Sequence, residues 1–335
     1  MINARLAACA TALCLAATGT PAAAASRCKL VEVAEWPVLS KSGSPIVEGS
    51  VNGRRVTIVL DSGGLTMVLR SAADRLGLTR RVAAQYRLFG VGGESYVEST
   101  IVDEFKIGSL VRKNWEVMVA GDSPASNAVD VMLGDDVLDK VDVEFDLPHD
   151  RVRLFQPSDC EGVALAYWAS QGAGQVDLGP GPRITVPVQV NGQPLQALLD
   201  SGAATSVLDK AAAARLGIRP DSPGVAFSGK GGGLGPKAVD YWVAPLRSFA
   251  IGNEAISDTV IRFADLWKDA TYASRNGSRV PEWLADTSAM LLGADFLRAH
   301  RVLVAQSQRK MYFTYEGGPV FVPKTSDGAP SRAPR

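Results

Sequence analysis

Histidine is almost absent: the 335-residue chain holds only His149 and His300. Neither stands near a cysteine or in an H-x-x-x-H pattern, so no metal site is expected, and each reads as an ordinary surface or core residue. The scarcity also leaves Ser62 and Ser201 without a plausible general base, and no G-x-S-x-G elbow occurs, which sets serine-nucleophile chemistry aside. Surplus charge is missing too. Lys plus Arg and Asp plus Glu each total 35, so nothing draws the chain to nucleic acid or anionic lipid. No full G-x-G-x-x-G is present, and the GKGGG at 229–233 lacks the strand and the K-[ST] of a P-loop, so no nucleotide or other cofactor is expected. Beyond the N-terminus, no apolar run approaches the roughly 20 residues of a membrane helix.

The first 25 residues have the form of an export signal: Arg5, then an apolar stretch from Leu6 to Ala17, then Ala23-Ala24-Ala25 as a cleavage site. Leu6-Ala7-Ala8-Cys9 resembles a lipobox, but only five residues precede it, too few for a working lipoprotein signal. The mature product is expected to start at Ser26, in the periplasm or secreted. Of the four cysteines, only Cys28 and Cys160 then remain. In an oxidising compartment they are candidates for one disulfide, with two free thiols as the alternative.

What the chain does contain is a repeat. VNGRRVTIVLDSGGLTMVLRSAA at 51–73 aligns without gaps onto VNGQPLQALLDSGAATSVLDKAA at 190–212, and Arg75-Leu76-Gly77 answers Arg215-Leu216-Gly217 one inserted residue later. Looser echoes follow: FKIGS and FAIGN, VMLGDDVL and MLLGADFL, RVRLF and RKMYF. A period this long points to two duplicated lobes, at 26–155 and 183–323, rather than to a solenoid of small units. The small-residue-rich segment 156–182 reads as their linker, and 324–335 as a disordered tail.

Within each lobe the pattern is mainly β. A strand follows an Asn-Gly turn and ends abruptly at Asp-Ser-Gly, which puts Asp61 and Asp200 at strand exits. A short Ala-rich helix stopped by glycine comes next. Glycine-rich segments then follow, with Gly92 and Gly93 in the first lobe and Gly231 and Gly232 in the second as candidate tips of mobile hairpins.

This ordered set resembles the retropepsin-like bacterial aspartyl proteases, related to retroviral proteases and, through duplication, to pepsin. The resemblance covers roughly Pro45 to Phe155 and Arg183 to Tyr315. It implies two acid-protease β-barrel lobes related by a pseudo-two-fold axis, with Asp61-Ser62-Gly63 and Met132-Leu133-Gly134 in one, and Asp200-Ser201-Gly202 and Leu291-Leu292-Gly293 in the other. Asp61 and Asp200 would form a catalytic dyad sharing one proton. Ser62 and Ser201 would brace the opposite loops, while Gly63 and Gly202 would permit a tight turn. The expected product is a monomeric aspartic endopeptidase acting on a peptide or protein. The lobes also differ: Gly64 faces Ala203, Tyr96 is the nearest match to pepsin's flap tyrosine, and only the second lobe has an insertion, between 258 and 290. The competing reading is a protease-fold protein that binds peptides or acts as a scaffold without cutting them. Two-carboxylate glycoside hydrolysis has the residue types, but it does not call for a duplicated Asp-Ser-Gly frame.

Overall fold

The computed structural model describes residues 28–121, 129–267 and 288–321. The segments read as an export signal and a tail, and the bulk of the second-lobe insertion, lie outside the described residues. Among the described residues, no helix is long and apolar enough to cross a membrane.

The chain is mainly β. After β1 (Lys29–Pro37), the first lobe runs β2 (Ile46–Val51), β3 (Arg54–Leu60), β4 (Met67–Leu69), β5 (Arg81–Gly90), β6 (Gly93–Ile107), β7 (Leu110–Ala120) and β8 (Val131–Leu133). β9 (Asp142–Asp146), β10 (Arg151–Ser158) and β11 (Gly174–Asp177) lead to the second lobe. There β12 (Thr185–Val190), β13 (Gln193–Leu199), β14 (Val207–Asp209), β15 (Ala226–Gly231), β16 (Val239–Ile251), β17 (Glu254–Ala264) and β18 (Met290–Leu292) repeat the first set before β19 (His300–Ala305) and β20 (Lys310–Tyr315).

The two lobe sheets have the same order, β2-β3-β8-β4-β7-β6-β5 and β12-β13-β18-β14-β17-β16-β15. Extra pairings of β2 with β6 and β12 with β16 close six strands of each into a barrel, leaving β5 and β15 as outer hairpin arms. The Asn-Gly pairs make the tight turns the pattern suggests: Asn52 and Gly53 have φ of 50° and 75°, Asn191 and Gly192 51° and 79°. Both central residues at positive φ match the twist of the flanking strands. Alternation then sends Val56, Ile58 and Leu60, and Val186, Val188 and Val190, into the barrel interiors.

A third sheet, β1-β10-β9-β19-β20-β11, is built from both halves of the chain. Its seam pairs β9 with β19, Phe145 opposite Val302 and Val143 opposite Val304. The segment read as a linker is not plain connection. β11 pairs with β20, Leu165 is buried with Phe155, Leu303 and Tyr312, and the Trp168 indole donates to Thr314 Oγ1 at 2.8 Å. Cys28 and Cys160 are disulfide-bonded across 132 residues, fastening the start of β1 beyond the end of β10. One hydrophobic cluster runs through both lobes, from Ala34 to Phe321, so the halves share their core.

Candidate active site

Asp61 and Asp200 occupy equivalent places at the exits of β3 and β13. Each strand runs parallel to a partner, Leu60 beside Leu133 and Leu199 beside Leu292, and this register fixes where the strand ends. The backbone N–H of Asp61 donates to Leu133 O, and that of Asp200 to Leu292 O, both at 2.9 Å. The glycines that follow, Gly134 and Gly293, lie under the Asp-bearing loops. A Cβ on Gly134 would stand 2.4 Å from Gly64 O, and one on Gly293 2.6 Å from the Thr205 carbonyl carbon.

The two loops are tied to each other by their serines. Ser62 Oγ donates to Leu199 O at 2.8 Å and accepts the Ser201 N–H at 3.0 Å. Ser201 Oγ donates to Leu60 O at 2.7 Å and accepts the Ser62 N–H at 2.9 Å. All four groups are buried, so each bond replaces one that water can no longer supply. The glycines of the triplets sit in the expected tight turns, closed by the Gly64 N–H on Asp61 O at 3.4 Å and the Ala203 N–H on Asp200 O at 3.1 Å. Neither Gly63 nor Gly202 adopts positive φ, so the turn does not by itself call for glycine. Instead each lies against the opposite aspartate: a Cβ on Gly63 would be 2.5 Å from Asp200 Cγ, and one on Gly202 2.4 Å from Asp61 Cγ. Any side chain there would push the carboxyl groups aside.

The carboxyls therefore face each other across the lobe interface. Asp61 Oδ1 accepts the Gly63 N–H at 3.0 Å, and Asp200 Oδ1 accepts the Ala203 N–H at 2.9 Å. Burial, and next the charge of Asp200, hold the Asp61 carboxyl well above the usual carboxylate range. Asp200 is raised as well, by burial, against the opposing pull of the Ala203 N–H and the Arg183 charge. Two close carboxyl groups in a desolvated site retain a proton between them and titrate as a pair.

Several supporting residues carry no letter of the Asp-Ser-Gly motif. Asp136 Oδ1 accepts the Thr66 N–H at 2.7 Å, and Asp295 Oδ1 accepts the Ser206 N–H at 2.8 Å. Thr66 and Ser206 hydroxyls in turn accept the Gly134 and Gly293 N–H groups, each at 2.9 Å. The second repeat of Gly-x-Asp, at Gly134 and Gly293, was the available signal for Asp136 and Asp295. These bonds also correct the gapless alignment. Thr66 corresponds to Ser206 rather than Thr205, and Met67 opposite Met132 corresponds to Val207 opposite Leu291. The extra residue of the second lobe is Ala204, inside the Asp-bearing loop. Shared letters at Thr66/Thr205 and Ala72-Ala73/Ala211-Ala212 place it instead between Ala73 and Arg75, inside the helix Arg70–Leu76.

Gly92 and Gly93 sit at the tip of the β5–β6 hairpin, with φ of 91° and 104°. In the second lobe the apex lies further along than Gly231 and Gly232. Gly231 is still paired with Val239 and abuts the Tyr241 ring, and residues 233–235 make the tip because the loop from β15 to β16 is long. The tips touch: Gly235 N–H donates to Val91 O at 3.1 Å and Lys237 N–H to Gly92 O at 2.9 Å. Val91 packs among Leu198, Val207 and Leu266 of the second lobe, and Leu234 among Met67, Leu69 and Leu88 of the first. Tyr96 exposes most of its side chain.

No curated protein matches the chain. A family model described as aspartyl protease matches it twice, at residues 47–137 and 186–296, together more than half of its length. Each matched segment holds one barrel with one Asp-Ser-Gly at the exit of its second strand, and on this ground the chain belongs to the retropepsin-like aspartyl protease family, as a duplication of its lobe.

Proposed function

We propose that the chain is an aspartic endopeptidase that hydrolyses peptide bonds with a water activated by Asp61 and Asp200. The observation that carries this reading is the pair of carboxyls, each seated against the glycine of the opposite triplet and braced through Ser62 and Ser201. With one proton on the pair, the ionised carboxylate takes a proton from water as its oxygen attacks the scissile carbonyl carbon. The other carboxyl gives its proton to the carbonyl oxygen. The resulting gem-diol collapses with proton return to the leaving nitrogen, and no covalent enzyme intermediate forms. The braced loops keep both groups in place, so little reorganisation accompanies the step. Val91 and Leu234 each pack into the opposite lobe where the hairpin tips meet, so entry of a peptide between the lobes requires the tips to part.

Both aspartates belong to one polypeptide, which supports action as a monomer. The Cys28–Cys160 disulfide supports a working place outside the reducing cytoplasm, periplasmic or secreted. The test is cleavage of a random peptide library by the purified mature chain and by Asp61→Asn and Asp200→Asn. Cleavage that both substitutions abolish, with folding intact, is the expected result. Near-full turnover by either variant would sink the dyad. Peptide binding without cleavage by the wild type would favour the scaffold reading.

A further inference from the structure

The two lobes surround the dyad with different charges. Ser44 and Arg183 stand at equivalent places, each two residues ahead of its lobe's first strand, and each reaches across to the other lobe's triplet. Ser44 Oγ donates to Gly202 O at 2.7 Å, and Arg183 Nη2 to Gly63 O at 3.0 Å. The bond is the same, but one donor is neutral and the other carries a full positive charge. Asp135 and Ala294 are a second such pair. Their N–H groups donate to Gly64 O at 2.9 Å and Ala203 O at 2.8 Å, yet only the first lobe adds a carboxylate. A third is Met118 and Arg262, at matching registers beside Met67 and Val207; Arg262 lies 4.4 Å over the Tyr241 ring.

We propose that Arg183 and Asp135 polarise the dyad, so that the shared proton rests on Asp61 while Asp200 is the carboxylate that receives the proton of the attacking water. The assignment rests on the peptidase reading above, and Arg183 and Asp135 are positioning residues within it. The backbone does not distinguish the two, since Asp61 accepts one N–H, from Gly63, and Asp200 one, from Ala203. The bias comes from the charges: beyond the burial that raises both carboxyls, Asp135 adds to the hold on the Asp61 proton, and Arg183 favours the ionised form of Asp200. The remaining ionisable groups facing the site do not reverse this bias. Burial holds Asp135 high against the opposing charge of Arg183, with Asp136 and Asp139 adding to burial, Asp295 is bound to Ser206, and Tyr241 and Arg262 lie on the Asp200 side. Asp135 itself is pushed up to about 6, by burial first, so its negative charge is present at neutral pH.

The experiment makes the lobes alike one position at a time: Arg183→Ser copies Ser44, Asp135→Ala copies Ala294, and Arg183→Lys keeps the charge. Two quantities are read on the full mature chain, the pH profile of kcat/KM on a peptide taken from the library and the titration of the aspartate carboxyls by carbon NMR. Arg183→Ser is expected to move the acidic limb up by about half a pH unit or more, and Asp135→Ala to move the alkaline limb down by a similar amount. Arg183→Lys should leave the acidic limb where it was. An active enzyme whose limbs stay put in both Arg183→Ser and Asp135→Ala overturns the polarisation and leaves the peptidase reading standing. So does an acidic limb that shifts equally in Arg183→Lys and Arg183→Ser, since the bond and not the charge would then matter. If Arg183→Ser does not fold, Asp135→Ala decides alone. If the wild type cuts no peptide, the peptidase reading falls, and the NMR titration still shows which carboxyl holds the proton.

Discussion

The first and second lobes agree strand for strand, yet they part company within a few ångströms of Asp61 and Asp200. Positions that fix backbone geometry are shared: the triplet serines and glycines, Gly134 with Gly293, and Asp136 with Asp295. Positions that set charge, loop length and cover are not. Asp135 stands against Ala294, Arg183 against Ser44, Ala204 has no partner, and a tight hairpin in one lobe answers a long loop in the other. A duplicated frame must keep what both copies use in the same way. Each copy is free to change what only one side of an asymmetric reaction needs.

The hardest way to break the comparison is to separate the lobes. Because β9 pairs with β19 and the core is continuous, a chain ending near Gln156 or beginning near Gly181 should neither fold nor cut peptides. Far-UV circular dichroism and a peptide assay on each half would check this. In the intact chain, specific activity should stay constant on dilution, since the two aspartates meet intramolecularly. A competent isolated lobe would show that the site is built between chains.

The outer strands of the shared sheet offer a milder contrast. β1 is fastened to the end of β10 by a disulfide, whereas its counterpart β11 is held on β20 by packing and by the Trp168 bond to Thr314. Replacing Cys28 and Cys160 together with serine should lower stability by about 2–4 kcal/mol in denaturant melts, on the chain-entropy view of a long closed loop. An unchanged midpoint would mean that β1 is held by its neighbours as β11 is.

Ser62→Ala and Ser201→Ala sharpen the symmetry. Each deletes one donated and one accepted bond at a buried site, so each should cost about 1–3 kcal/mol, and the two losses should agree. A clear inequality between the two denaturation midpoints would show that one loop leans on the other.

The smallest effect concerns pH. Asp135 has a folded pKa of about 6, above its unfolded value, so between roughly pH 4 and 6 the native state binds more protons than the unfolded one. Stability therefore falls as pH rises through that window, and the burial-raised Asp61 and Asp200 add slope of the same sign. Asp135→Ala, which copies the second lobe, should make the decline shallower without removing it. A urea midpoint followed across this range would reveal a slope that fails to change.

Much of the site was legible because it is local. Asp-Ser-Gly after an apolar run marks a strand exit, Asn-Gly marks the turn before it, and the tip at Gly92 and Gly93 lies in a short hairpin whose turn residues announce themselves. The apex at 233–235 was harder to find, since four glycines in five residues offer no unique bend. Arg183 and Ser44 share no letter. What makes them equivalent is a hydrogen bond to the opposite lobe, and that bond has no trace along the chain.

The sequence by itself determined the duplication, the β class, the strand-end placement of both aspartates and the serines and glycines beside them. These depend on turn chemistry and side-chain alternation over a few residues, which repeat wherever the same local backbone is required. Only the tertiary structure decided the rest: that Ala204 is the inserted residue, that 174–177 is a strand of a sheet shared by both halves, that Gly63 and Gly202 are needed for close approach rather than for φ, and that opposite charges flank the two aspartates. Each of these is settled by contacts between residues far apart in the chain, or by which of two neighbouring residues fills a hydrogen bond, and such pairings follow from the packing of the whole chain.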